Sequence, residues 1–82
     1  MNEFPPEDGF GYRVRQARVA KGFGWSALAR MIHVTSRDVR RWESGERKNP
    51  RLRCIIALAD ALEVTIGWLV AGRGEGPWQS NS

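Results

Sequence analysis

The sequence has little cysteine and little histidine: one of each among 82 residues. The single cysteine, Cys54, excludes a disulfide within the chain and is typical of proteins of the reducing cytoplasm. With His33 as the only histidine, no zinc finger or other Cys/His metal site is expected. No apolar run is long enough for a transmembrane helix, and Met1–Gly11 lacks the basic start and apolar block of a signal peptide. We therefore expect a cytoplasmic protein without a metal or a membrane contact.

The sequence also lacks the patterns that indicate an enzyme. It shows no nucleophile–base pair, no metal-ligand cluster and no carboxylate pair in a recognisable motif. The spacing Gly72-x-Gly74-x-Gly76 is similar to part of a dinucleotide loop, but it follows a predicted helix instead of a strand and opens no helix. We predict neither catalysis nor a cofactor.

The chain does contain an excess of basic residues, concentrated in its middle. Residues 1–9 carry a net charge of −3, residues 10–72 a net +7, and residues 73–82 none. Eleven of the 13 basic residues are arginine, whose planar guanidinium suits phosphates and guanine edges. This distribution favours a polyanionic partner, although a solvated basic surface would have the same composition.

The apolar spacing predicts helices only. A chain of 82 residues has room for one domain, and no segment shows the two-residue alternation of a strand. Gly22 and Gly45 are expected to end helices, while Thr35, followed by Asp38, and Thr65 are expected to start them. We predict an all-α domain, residues 10–72, with five short helices over Phe10–Lys21, Trp25–Ile32, Ser36–Ser44, Leu52–Leu62 and Ile66–Ala71. A flexible acidic arm (1–9) and a flexible tail (73–82) flank it.

The same spacing predicts which helix faces are buried. The expected inward-facing residues are Phe10, Val14 and Ala17 on the first helix, Leu28, Ala29 and Ile32 on the second, Val39 and Trp42 on the third, and Leu52, Ile55, Ile56, Ala59 and Leu62 on the fourth. On the fifth helix we expect Ile66 and Leu69 in the core.

The segment from Trp25 to Trp42 carries the functional signal. Two helices of about eight residues are joined by a three-residue turn, and the small Ala29 permits their close approach. Val34, Val39 and Trp42 are placed to hold the later helix against the earlier one. This is a helix-turn-helix arrangement, whose second helix can enter the DNA major groove.

Between Phe10 and Gly72 the chain resembles the Cro/cI-type helix-turn-helix family, the xenobiotic-response-element-like regulators with lambda-repressor-like domains. The segments that carry this resemblance are FGYRVRQAR, LARMIHVT, VRRWESGER and LADALEVTIGWLVAG. The last of these is similar to phage and prophage repressors in particular.

The resemblance implies roles for individual residues. The positions that match those facing the bases are Thr35, Ser36, Arg37 and Arg41, although Thr35 alternatively serves only as a cap. The positions that match phosphate contacts are Trp25, Arg40, Arg47, Lys48, Asn49 and Arg51. Arg18 and Glu43 match a structural ion pair, for which a weak surface pair is the alternative. The region through which relatives dimerise contains Ile66, Trp68 and Val70, with Trp68 expected partly in the interface.

Three features depart from the family pattern. Trp25 stands where relatives usually carry Gln, so either its indole N–H contacts a phosphate or its ring packs over Phe23. His33 stands where Gly is usual, at a site that needs a positive φ. The third helix is also richer in arginine than usual, which favours affinity for DNA of any sequence.

The resemblance implies a sequence-specific transcription regulator, a repressor that binds an inverted-repeat operator in double-stranded DNA as a homodimer and occludes a promoter. Three alternatives stay open. The first is an antitoxin that binds a toxin and represses its own operon. The second is a restriction–modification controller that can activate transcription. The third is an interaction module whose arginines contact an acidic protein partner.

Overall fold

A computed structural model describes residues 9–47, 50–74 and 76, and these residues form five α-helices with short connections. The helices are α1 (Phe10–Lys21), α2 (Trp25–Met31), α3 (Ser36–Ser44), α4 (Leu52–Leu62) and α5 (Ile66–Ala71). Within the described ranges there is no strand, so the all-α prediction is confirmed. The arm before Gly9 and most of the predicted tail lie outside the described residues.

The helix ends follow from the residues expected to cap them. Gly22 and Gly45 adopt the left-handed conformation, with φ of 75° and 86°, which costs glycine little because it has no Cβ. The hydroxyl of Thr65 accepts from the N–H of Trp68 at 3.0 Å and starts α5. The predicted bounds of α1, α3, α4 and α5 are confirmed, whereas α2 ends one residue early because Ile32 leaves the helical conformation (φ −112°, ψ 10°).

The core draws on all five helices. Its fully buried large side chains are Val14, Leu28, Val39, Leu58, Leu62 and Leu69. On α4 the prediction was partly wrong, since Leu52 and Ile56 are 66% and 43% exposed. The buried stripe runs through Leu58, Ala59 and Leu62, and Ile56 lies about 120° around the helix from Leu62.

α1 packs against α3, α4 and α5 and touches α3 at backbone distance. A Cβ added to Gly11 would overlap the carbonyl oxygen of Trp42 and lie 2.8 Å from that of Glu43. Because those oxygens belong to the main chain, they cannot move aside as a flexible side chain would. Only glycine therefore permits this approach of α1 to the end of α3.

Candidate nucleic-acid interface

The turn between α2 and α3 depends on one left-handed residue. His33 has φ 62°, a conformation that His tolerates better than most residues with a Cβ. The N–H of Val34 then donates to the carbonyl oxygen of Ala29 at 3.0 Å, which closes the turn. The positive φ predicted for His33 is confirmed, and it redirects the chain so that α3 packs across α2.

The N-terminus of α3 is closed by a reciprocal capping box. The N–H of Asp38 donates to Oγ1 of Thr35 at 3.1 Å, and the N–H of Thr35 donates to the Asp38 carboxylate at 3.2 Å. That backbone donation lowers the pKa of Asp38 below its ordinary value of 3.8, and the Thr35 hydroxyl and the charges of Arg47 and Arg41 act in the same direction. Thr35 therefore serves as a cap, and it also stays exposed beside Ser36.

The outward side of α3 carries three guanidinium groups. Arg37 and Arg40 are exposed and Arg41 is half-buried. Together with Ser44 and Glu46 they line a shallow concavity. Nε of Arg41 lies 3.5 Å from the Glu46 carboxylate, a separation typical of a weak ion pair. The opposite side of α3 is buried, through Val39, Trp42 and Glu43. The arginines therefore face solvent.

Arg18 and Glu43 join α1 to α3. Nε and Nη2 of Arg18 donate to the two carboxylate oxygens of Glu43 at 2.5 and 3.0 Å. The residues are 9% and 3% exposed, so this is a buried bidentate pair and not a surface pair. Nη1 of Arg18 donates to the carbonyl oxygen of Phe23 at 2.9 Å. The pair therefore fixes α3 relative to α1 and to the start of α2.

Trp25 makes a contact that the resemblance did not imply. Its indole N–H donates to Oε1 of Glu43 at 3.1 Å, a charged acceptor of the same chain. The residue is 42% exposed. Two guanidinium carbons lie near the centroid of its ring, that of Arg40 at 4.9 Å and that of Arg18 at 5.4 Å.

The segment predicted to follow the DNA backbone begins directly after α3. The N–H of Arg47 donates to the carbonyl oxygen of Arg41 at 3.1 Å, which places the exposed Arg47 beside the concavity. Arg51 is exposed and stands as the N-cap residue of α4. The roles expected of Lys48 and Asn49 lie outside the described residues.

α5 corrects two expectations. Trp68 is only 6% exposed and belongs to the core of this chain, whereas Ile66 is 43% exposed and does not. The buried side of α5 is formed by Trp68 and Leu69, and Ile66 lies on the other side. Ile66 and Val70, four residues apart, therefore share the outward face, and Val70 is 46% exposed.

Two structural residues on α1 escaped prediction. Arg13 is 8% exposed, and its Nε and Nη2 donate to the carbonyl oxygens of Leu69 and Val70, both at 2.9 Å. A cation is favourable at these last carbonyls of α5. No sequence pattern marks a side chain whose partners are main-chain atoms 56 and 57 residues away. For Gly11 a signal existed, since a glycine inside a helix often marks a close approach.

In the part of the chain that the structure describes, no group of three or more His, Cys, Asp or Glu side chains is placed to hold a metal ion. None of the helices in this part of the chain has the length and apolar character needed to cross a bilayer.

Solved structures with this arrangement of helices include three regulators. The P22 c2 repressor in complex with a synthetic operator is 28% identical, covering 78% of this chain and 96% of its own, with a TM-score of 0.74. The restriction–modification controller protein C.AhdI from Aeromonas hydrophila is 37% identical over 73% of this chain and 89% of its own, with a TM-score of 0.68. The N-terminal DNA-binding domain of SinR from Bacillus subtilis is 26% identical over 80% and 96%, with a TM-score of 0.73.

The family comparison covers the same helices. The helix-turn-helix model HTH_3 matches residues 14–69, a span that begins inside α1, includes the Arg18–Glu43 pair and ends in α5. It is more than half of the chain. The chain therefore belongs to this Cro/cI-type helix-turn-helix family.

Proposed function

We propose that this DNA-binding transcriptional regulator is a repressor that places α3 in the major groove of its operator. One observation carries the proposal: a capped helix presents Arg37 and Arg41 outward while its other side is buried and anchored by Glu43. A helix of this kind, about 10–12 Å across with its side chains, fits a groove about 12 Å wide. Similar domains, the P22 c2 repressor and SinR, have been solved with DNA.

Base recognition is assigned to the start and the outer face of α3. Arg37 and Arg41 are one turn apart on one face, and each guanidinium can donate two hydrogen bonds to O6 and N7 of a guanine. Thr35 and Ser36 stand at the end of the helix that meets base edges first. Arg40, Arg47 and Arg51 are exposed and are assigned to phosphates, as are Lys48 and Asn49.

The protein acts by binding and not by catalysis in this proposal, and it binds as a homodimer. A single α3 reads a half-site of about 4–5 base pairs, so two copies are needed for an operator. Ile66 and Val70 form the assigned contact because they are the exposed large apolar residues of α5. Two-fold pairing requires an inverted-repeat operator.

The dimer assignment is tested by the oligomeric state. Ile66→Asp places a charge on the proposed contact without disturbing the core, so it should yield a folded monomer in sedimentation at concentrations where the unmodified chain is dimeric. Ile56→Asp on α4, equally exposed at 43%, is the matched control. Dissociation by neither or by both variants would contradict the assignment to α5.

The function is tested by selecting bound sequences from a random duplex library at near-physiological salt. An enriched inverted repeat supports a dimeric specific regulator, and the half-site spacing reports the dimer geometry, with about 34–36 Å expected. A bound pool without enrichment would contradict the repressor proposal. The antitoxin and interaction-module functions would then be pursued through a co-purified protein partner.

A second candidate function, that of a restriction–modification controller, is favoured by one observation. The restriction–modification controller C.AhdI shares 37% identity over 89% of its length. A reporter gene under the selected operator separates the two functions, because a repressor lowers expression at every concentration. A controller that activates raises expression over at least part of the concentration range.

A further inference from the structure

The indole of Trp25 lies between the buried ion pair and the outer face of α3. Its N–H donates to Glu43, and its ring centroid is 4.9 Å from the guanidinium carbon of Arg40. We propose that Trp25 is a positioning residue, which holds Arg40 by stacking so that this arginine contacts a DNA phosphate. The inference rests on the proposed function and deepens it.

Arg40 is suited to such a contact. It is exposed, and its guanidinium makes no hydrogen bond or ion pair with any residue in the described ranges. The five N–H groups of a guanidinium lie in its plane, so stacking occupies the face and leaves the N–H groups free. A planar fork of donors held in this way matches the oxygens of a phosphate.

The support beneath Arg40 is itself fixed. The indole is tied at Nε1 to a carboxylate that two donors of Arg18 hold in turn. A rigid aromatic surface restricts the rotamers of the long arginine before DNA arrives, which reduces the entropy lost on binding. The charge of Arg18, although near the same ring, is balanced by Glu43 and therefore repels Arg40 little.

Two substitutions of Trp25 separate the contribution of its aromatic ring from that of its indole N–H. Trp25→Phe keeps an aromatic face and Trp25→Leu keeps only apolar bulk, while both lose the hydrogen bond to Glu43. Each is made alone and together with Arg40→Ala. Met31→Ala is the matched control, since Met31 is an exposed apolar residue of the same helix (48% exposed). Circular dichroism melts establish that each variant is folded.

Binding is measured by anisotropy with a fluorescein-labelled duplex of random sequence, because phosphate contacts do not depend on sequence. Trp25→Leu should bind about two- to fivefold more weakly than Trp25→Phe, the factor that stacking at an exposed site supplies. Its salt slope should fall toward that of Arg40→Ala, which should lie about one unit below the unmodified chain. Met31→Ala should bind as the unmodified chain does.

The decisive comparison is made without Arg40. In the Arg40→Ala background, the Phe and Leu variants should bind equally, because the ring has nothing left to position. The inference is overturned if Phe and Leu bind equally with Arg40 present, or if their difference persists after Arg40 is removed. An unmodified chain that fails to bind the duplex at all would instead refute the proposed function.

Discussion

Glu43→Gln should destabilise the domain far more than the loss of an exposed ion pair would. The substitution keeps the shape of the side chain and removes its charge, which leaves Arg18, 9% exposed, as a buried cation without a counter-charge. It also disturbs an acceptor that serves three donors, two on Arg18 and one on Trp25. Breaking a buried pair costs about 3–5 kcal/mol, and we expect about 3 because Gln retains one oxygen. The whole domain is stable by about 4–12 kcal/mol at this length.

The assay is urea unfolding followed by circular dichroism at 222 nm, with Glu63→Gln as the control. Glu63 pairs with Lys21 at 2.6 Å, close to the 2.5 Å of Arg18–Glu43, but its side chain is 72% exposed. Water and salt screen such a pair, so little change is expected there. The control therefore shows what an exposed pair of similar length, with a single donor, contributes.

A double substitution tests the cause. Arg18→Met with Glu43→Leu removes both charges and should recover most of the stability that Glu43→Gln loses, since apolar residues of similar volume replace buried pairs well. A loss of about 1 kcal/mol or less for Glu43→Gln, as for an exposed pair, would refute the reasoning. So would a double variant no more stable than the single one.

Three further predictions follow from the fold and the site. Gly11→Ala should destabilise the domain by about 1–3 kcal/mol in the same unfolding assay, because its Cβ overlaps the carbonyl oxygen of Trp42; an unchanged midpoint would contradict the close approach. Arg37→Ala should reduce the free energy of binding to the selected operator by about 1–3 kcal/mol and reduce binding to random DNA less. The control is Arg30→Ala, on the exposed end of α2, and any loss of affinity that it causes should be equal for the two DNAs. The Asp38 carboxylate accepts from the N–H of Thr35, and its lowered pKa means that its ionised form stabilises the fold. This contribution is complete well above the ordinary pKa of 3.8 and is lost as pH falls through the lower pKa of the folded state. The stability gap between the unmodified chain and Asp38→Asn should therefore shrink in acid, and a constant gap would exclude a role of the carboxylate charge in the capping box.

Helix starts and ends were predictable because single residues decide them. Thr35 and Thr65 each supply a hydroxyl to an unpaired N–H, and Gly22 and Gly45 each supply a left-handed conformation. Such requirements are local, so they can be recognised without knowledge of the tertiary structure. The departure at His33 was predictable for the same reason.

The directions in which side chains face were less predictable. Ile56 and Ile66 have the right spacing for a core stripe, but a neighbouring stripe on each helix is the buried one. Spacing defines stripes and does not choose between them, because that choice depends on where the other helices pack. The use of the Trp25 N–H likewise depends on Glu43, which lies 18 residues away in the chain.

α1 is bound to the helix proposed to contact DNA and to the helix proposed to contact a second copy. Arg18 and Gly11 attach it to α3, and Arg13 attaches it to the last carbonyls of α5. In a dimer, the separation of the two copies of α3 would therefore be set by a rigid frame within each subunit. One base pair inserted between the half-sites turns the second by about 34° around the DNA axis. Because the contacts of α1 oppose movement of α3 relative to α5, such a rotation would not be absorbed between these helices. The length of the spacer between half-sites would then restrict binding, as does the sequence that α3 reads.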